Sequence, residues 1–128
     1  MSDQVLVVGG GHLQVPIVAA AHKLGLEVVM TDRDPRAPAM RLADVPIAID
    51  TKDVVSHVML AEQLPNLCGV FTAGADVEVT VASAAAVRGL PGITPAAARA
   101  CNNKAFMRAK LDEAGIPGPR WKEVIFYP

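Results

Sequence analysis

The chain has 128 residues, 52% of them apolar and only 4% aromatic, with a formal net charge of −1. This composition predicts one aliphatic core that buries roughly two thirds of the unfolded surface, and it excludes a disordered chain. Balanced charge with no long run of one sign argues against nucleic acid or an anionic membrane as the main partner, and no apolar run approaches the ~20 residues that span a bilayer.

The first strand is expected over residues 4–8, where Val5, Leu6, Val7 and Val8 form the apolar run of a strand buried on both faces. It runs into Gly9, Gly10 and Gly11, which permit a sharp turn and close approach of backbone to a ligand. A helix is predicted over 13–24, with Pro16 in its first turn, Gly25 as its stop, and Leu13, Ile17, Ala20 and Leu24 on one face. Strand two follows over 27–31 and ends in the polar loop from Asp32 to Pro35. A short helix over 37–43 and a third strand over 45–49 come next, the latter placed at the sheet edge by Pro46.

Asp53 is expected to cap a helix with Val54, Val58, Ala61 and Leu64 on its buried face. Strand four covers 68–72, and an alanine-rich helix covers 77–87. Gly92, Ile93 and Thr94 suggest a short fifth strand. Thr94 and Pro95 start a helix over 95–101, and Asn102 is read as the cap of the last one, over 103–114. The Gly115–Pro119 stretch has the character of a linker. Residues 120–127 then read as a strand with no sheet to join, so the expectation is a chain cut just after a second domain begins.

Alternating strands and helices imply an α/β fold. We expect a Rossmann-like open parallel sheet of four to five strands, helices on both faces and strand order 3-2-1-4. Ligands should bind at the carboxyl ends of strands one and four, where the order reverses. Residues 1–116 are assigned to this domain and 117–128 to the linker and the first strand of another.

Several residues at that edge can carry chemistry. Gly9 and Gly11 fit the start of a dinucleotide fingerprint whose third glycine is replaced by Gln14. Asp32 stands near the place of a ribose-binding acid, against the plainer reading of a solvated turn residue. His12 lies at the turn, either exposed or donating to a phosphate or carboxylate. Asp76 reads as an N-cap. Glu78 reads as a partner of the helix dipole or as a holder of a substrate hydroxyl or amine. Lys104 sits in the first turn of a helix, where a cation is unfavourable unless an anion such as a nucleotide phosphate is near. His22 and His57 are placed on helix surfaces. Cys68 and Cys101 are expected as small apolar core thiols. No metal site and no nucleophile–base pair is apparent. The N-terminus lacks the features of a secretory signal, so the expected compartment is the cytoplasm.

Taken together, Gly9-Gly10-Gly11-His12-Leu13, Asp32-Arg33, Ala37-Pro38-Ala39-Met40, Ala43-Asp44, Asp76-Val77-Glu78 and Leu90-Pro91-Gly92 resemble the N-terminal domain of ATP-grasp ligases. The run from Asn103-Lys104 through Met107-Arg108 and Leu111 to Ala114-Gly115-Ile116-Pro117 and Pro119 carries the resemblance furthest. The similarity is to the carboxylate–amine branch that includes formate-dependent glycinamide ribonucleotide transformylase, and to biotin carboxylase. It implies a Rossmann-like domain that binds no dinucleotide. Gly10, Gly11, His12, Leu13 and Glu78 would then hold a small-molecule acceptor, and Lys104 would reach ATP phosphates. The transformylase has an acid where this chain has His12, and Asn103 replaces the family's aspartate. The resemblance also implies an acyl-phosphate mechanism with ATP and magnesium in the intact parent, neither held tightly by this chain alone. The partners implied are an ATP-grasp domain of the same chain and a possible second copy. The competing expectation is an NAD(P)-binding module using Gly9, Gly11 and Asp32.

Overall fold

The computed structural model describes residues 1–126. Strand β1 (Gln4–Val8) lies centrally, with β2 (Glu27–Asp32) on one side and β4 (Leu67–Phe71) on the other. The edge strand β3 (Val45–Ala48) completes the parallel order β3-β2-β1-β4. The β-branched runs suit these central positions, and Leu6, Val7, Val8, Val28, Val29 and Met30 are all fully buried. Alternate residues feed two cores. Val7, Val28 and Met30 meet Val18 and Ala21 of α1 (Val15–Lys23) together with Ala39 and Met40. Leu6, Val8 and Val29 meet Ala61 of α2 (Val54–Gln63) and Ala84 of α3 (Glu78–Val87). Each fully buried aliphatic side chain contributes about 1.5–3 kcal/mol, so these central strands dominate the stability. Outside them, α4 (Pro95–Asn102) buries Ala98, whereas α5 (Lys104–Glu113) buries none of its side chains fully.

The four-strand order and the helices on both faces match the expected architecture, and several local details differ. His12–Gln14 forms a single 3-10 turn before α1. That turn shifts the helical phase, so the buried face is Gln14, Val18 and Ala21, while Leu13 and Leu24 are 61% and 76% exposed. The expected helix over 37–43 is a 3-10 turn at Pro38–Arg41. Residues 92–94 add no fifth strand.

The cap before α5 is Asn103, whose Oδ1 accepts from the Phe106 N–H at 2.9 Å, and not Asn102, which ends α4. Asp76 does not cap α3: Val77 holds that position with no side-chain cap. Both cysteines are exposed. Cys68 falls where the β1–β4 register slips, between the pairs Gln4↔Leu67 and Val5↔Gly69, so it is left out of the pairing. Residues 116–126 form neither helix nor strand. Without a neighbouring strand an extended apolar segment has nothing to pair with, and Val124, Ile125 and Phe126 are 69%, 90% and 79% exposed. The strand expected over 120–127 reaches Tyr127, which with Pro128 lies outside the described residues.

His57 is the largest departure. It is fully buried, not on the helix surface, with Nδ1 2.7 Å from the Asp53 carbonyl and Nε2 2.7 Å from Thr31 Oγ1. A carbonyl only accepts, so Nδ1 donates and Nε2 accepts the hydroxyl proton. The imidazole thereby joins the first turn of α2 to the carboxyl end of β2. A second brace joins the far ends of the helices. The Arg88 guanidinium donates to the Ala61 carbonyl at 2.7 Å and to the Leu64 carbonyl, which satisfies the open C-terminus of α2.

One surface contact gives a pH prediction. The Val28 N–H and then the His22 imidazole hold the Asp44 carboxyl below its ordinary value of 3.8. A carboxylate depressed by folding stabilises fully above its unfolded value and loses that contribution as pH falls through its folded value. Asp44→Asn is therefore expected to lower the denaturant midpoint at neutral pH and to make no difference well below 3.8. Paired urea curves at the two pH values check this. Because the Asp44 side chain is 41% exposed, added salt should shrink the neutral-pH difference.

Candidate functional site

The site lies where the sheet order reverses, at the carboxyl ends of β1 and β4. Gly9 turns the chain out of β1 with φ +101°, a conformation that side-chain-bearing residues rarely adopt. The Gly10 N–H donates to Asp32 Oδ2 at 2.9 Å and its carbonyl accepts from the Ala39 N–H at 2.8 Å. A Cβ on Gly10 would stand 2.6 Å from Met40 Cγ, so the turn is packed from behind by the chain after β2. Gln14 occupies the place of the missing third glycine and is 4% exposed. Its Nε2 donates to the Ala73 carbonyl at 2.7 Å, which ties the turn after β1 to the loop after β4. The Thr72 hydroxyl adds a bond to the Val8 carbonyl at 2.8 Å. Two strand ends are thus locked side by side by side chains that carry no charge.

Above this turn, a cleft of about 310 Å³ is lined by Gly9, Gly11, His12, Leu13, Asp32 and the 73–75 loop. Of the expected acceptor and cofactor residues, Gly9, Gly11, His12, Leu13 and Asp32 therefore share one cleft. Gly10 lies behind it, with its amide and carbonyl already used, and Glu78 lies outside it. Asp32 is also committed: besides Gly10, its other oxygen accepts from the Asp34 N–H at 2.9 Å. Its carboxylate holds the glycine turn in shape, which leaves less of it to take a ribose.

A second, larger groove of about 510 Å³ adjoins the first, with Ala75 lining one and Asp76 the other. Lys52, Asp76, Glu78, Asn102 and Lys104 line it. Glu78 and Lys104, 26 positions apart in sequence, come together here because α4 returns along α3 and delivers the start of α5 to the same side. Glu78 Oε2 is buried and has no hydrogen-bond partner. A buried carboxylate oxygen without a donor is costly, so this atom is suited to a donor that a ligand brings. Lys104 has no carboxylate within 4.0 Å among the described residues. It also borders a smaller crevice with Arg108, Trp121 and Lys122. Its amine therefore has no ion-pair partner among the described residues. Among the described residues no three His, Cys, Asp or Glu side chains converge as a metal site, and no helix is long and apolar enough to cross a membrane.

Sequence reading missed Gln14 as the tie between the two loops, and it missed Thr51, Lys52 and Asn102 as lining residues. Only Gln14 carried a signal, since it breaks the glycine pattern at a position that must pack tightly.

No protein-family model matches the chain. It is 44% identical over 50 residues to a formate-dependent phosphoribosylglycinamide formyltransferase of Prochlorococcus marinus, covering 39% of this chain and 13% of that protein. To the enzyme of the same name from Paraburkholderia xenovorans it is 28% identical over 125 residues, covering 91% of this chain and 29% of that one. The chain thus spans less than a third of these relatives. Among solved structures, phosphoribosylglycinamide synthetase from Anaerococcus prevotii superposes with a TM-score of 0.79 at 25% identity, covering 90% of this chain and 30% of that one. N5-carboxyaminoimidazole ribonucleotide synthetase from Thermotoga maritima shares the fold with a TM-score of 0.73 at 23% identity, covering 97% and 34%. In sequence and in fold, the chain is similar to the N-terminal domain of ATP-grasp enzymes.

Proposed function

We propose that this domain is the acceptor-binding wall of an ATP-dependent carboxylate–amine ligase. The observation that carries the proposal is the buried, unpartnered Glu78 Oε2 in the same groove as the free Lys104 amine. An amine on the acceptor would donate to Glu78, and that charge-assisted bond would orient its lone pair for attack. The Gly11–Leu13 backbone, with His12 beside it, would hold the rest of the acceptor above the glycine turn. Lys104 would sit against phosphate oxygens. Mg-ATP, when bound, supplies the phosphoryl group that activates the carboxylate as an acyl phosphate. The groups that hold nucleotide and magnesium would belong to the larger part of the relatives, which this chain does not span. The 128-residue chain is therefore expected to lack ligase activity alone, with residues 117–128 leading toward an ATP-binding domain.

The formyltransferases similar to this chain are named for phosphoribosylglycinamide, which makes that molecule the first probe. Calorimetric titration should show it binding to the chain, and Glu78→Gln should weaken that binding by about 10–100-fold, the value of one hydrogen bond to a charged group. Equal affinities for the two proteins would overturn the proposal. Titration with Mg-ATP should give no tight complex; tight binding would contradict the division of labour between the two domains.

A further inference from the structure

The larger groove holds two cations and two carboxylates that do not neutralise one another. Lys52 and Lys104 line it with Asp76 and Glu78, yet neither lysine has a carboxylate within 4.0 Å among the described residues. Opposite charges left apart across one groove suit a ligand that carries both a donor and an anion. Lys104 and Glu78 already have roles in the proposed function. Lys52 has none, and its placement is specified by the fold.

The loop between β3 and α2 carries it. Asp50 Oδ1 accepts from the Lys52 N–H at 2.9 Å, which closes a tight turn. The Thr80 hydroxyl donates to the Thr51 carbonyl at 2.8 Å, and Thr80 is 2% exposed. Thr80 lies two residues after Glu78 on α3, so a buried bond fixes the backbone next to Lys52 to the helix that presents the carboxylate. Asp53 Oδ1 then caps α2 through the Ser56 N–H at 3.0 Å, and His57 holds that turn to β2. The loop is pinned on both sides of Lys52, while its side chain stays in the groove wall.

We propose that Lys52 is a specificity-determining residue that recognises an anionic oxygen group, phosphate or carboxylate, on the ligand whose amine or hydroxyl meets Glu78. This rests on the reading of the groove as the acceptor site. The ligand class is a small organic anion with a hydrogen-bond donor at its other end. A neutral amine would leave the Lys52 charge unused and would bind more weakly.

The test uses the 128-residue chain and two simple probes, inorganic phosphate and acetate, followed by amide shifts in ¹H–¹⁵N spectra. Saturable shifts at Thr51, Lys52 and Asn102 are expected with at least one probe, and the tighter of the two names the group recognised. Lys52→Ala should weaken that binding about tenfold, and Lys52→Arg should restore it to within about twofold. Lys52 is exposed, so neither change should affect folding, and unchanged spectra elsewhere verify this. Absence of saturable shifts, or equal affinity for Lys52→Ala and the original chain, overturns the inference. Phosphoribosylglycinamide binding that depends on Glu78 but not on Lys52 overturns this inference alone. Probe binding at Lys52 with no phosphoribosylglycinamide binding supports it and overturns that acceptor instead.

Discussion

Replacing His57 with leucine is expected to lower the unfolding free energy by about 1–3 kcal/mol. The side chain is fully buried, and both ring nitrogens are paired at 2.7 Å, one with the Asp53 carbonyl and one with the Thr31 hydroxyl. Leucine fills most of the volume, so the cavity term is small. The cost comes mainly from the Thr31 hydroxyl, left buried without its partner at about 1–3 kcal/mol before relaxation; the Asp53 carbonyl keeps the backbone N–H of residue 57 at 3.3 Å. Pairing the change with Thr31→Val supplies the control. Removing both partners of one bond should cost less than the sum of the single changes, because the hydroxyl is no longer stranded. Urea denaturation of the four proteins measures this. A loss below about 1 kcal/mol for His57→Leu would mean that the buried imidazole contributes little. The effect should reach the site as well, since α2 and the loop that carries Lys52 are anchored through this ring.

The second large effect is expected at Gly10. Gly10→Ala places a methyl group 2.6 Å from Met40 Cγ and 3.3 Å from Asp32 Cβ. Met40 is 2% exposed and cannot swing into solvent, so the clash is relieved only by repacking Met40 inside the core or by moving backbone. Overpacking of this kind costs about 1–3 kcal/mol. The movement would also strain the 2.9 Å bond from the Gly10 N–H to Asp32, which shapes the turn. Thermal unfolding should show the lost stability, and amide shifts at Gly9, Gly11 and His12 should show the displaced turn. Gly92→Ala is the matched control. Its Cβ would meet only the Ala85 Cβ at 3.7 Å, an ordinary contact, so stability should stay within about 0.5 kcal/mol. If both substitutions behave alike, the glycine turn is not the tightly packed element described here.

The place of the candidate site was legible because it is written in local chemistry. The apolar run before Gly9 placed the turn at a strand end, and the order 3-2-1-4 then fixed which other loop lies beside it. Glu78 and Lys104 were each found from their place in a first helical turn. Their meeting in one groove was not, because it depends on how α4 packs against α3. Asp32 was open to two readings, and its side chain is used by the Gly10 and Asp34 amides. Lys52 has no sequence signal at all. A lysine after a strand is ordinarily solvated, and only the buried Thr80–Thr51 bond fixes its loop to α3.

The sequence by itself determined the strand and helix order, the glycine turn and the capping residues Asp53 and Thr94, since periodicity, turn chemistry and capping act within a few residues. Only the tertiary structure decided that His57 is buried, that the first helix faces inward through Gln14, Val18 and Ala21, and that Cys68 and Cys101 face solvent. Those outcomes depend on which surfaces meet. A 3-10 turn shifts one helical face, and a register slip moves one strand residue out of line. No pattern within a single segment carries that information.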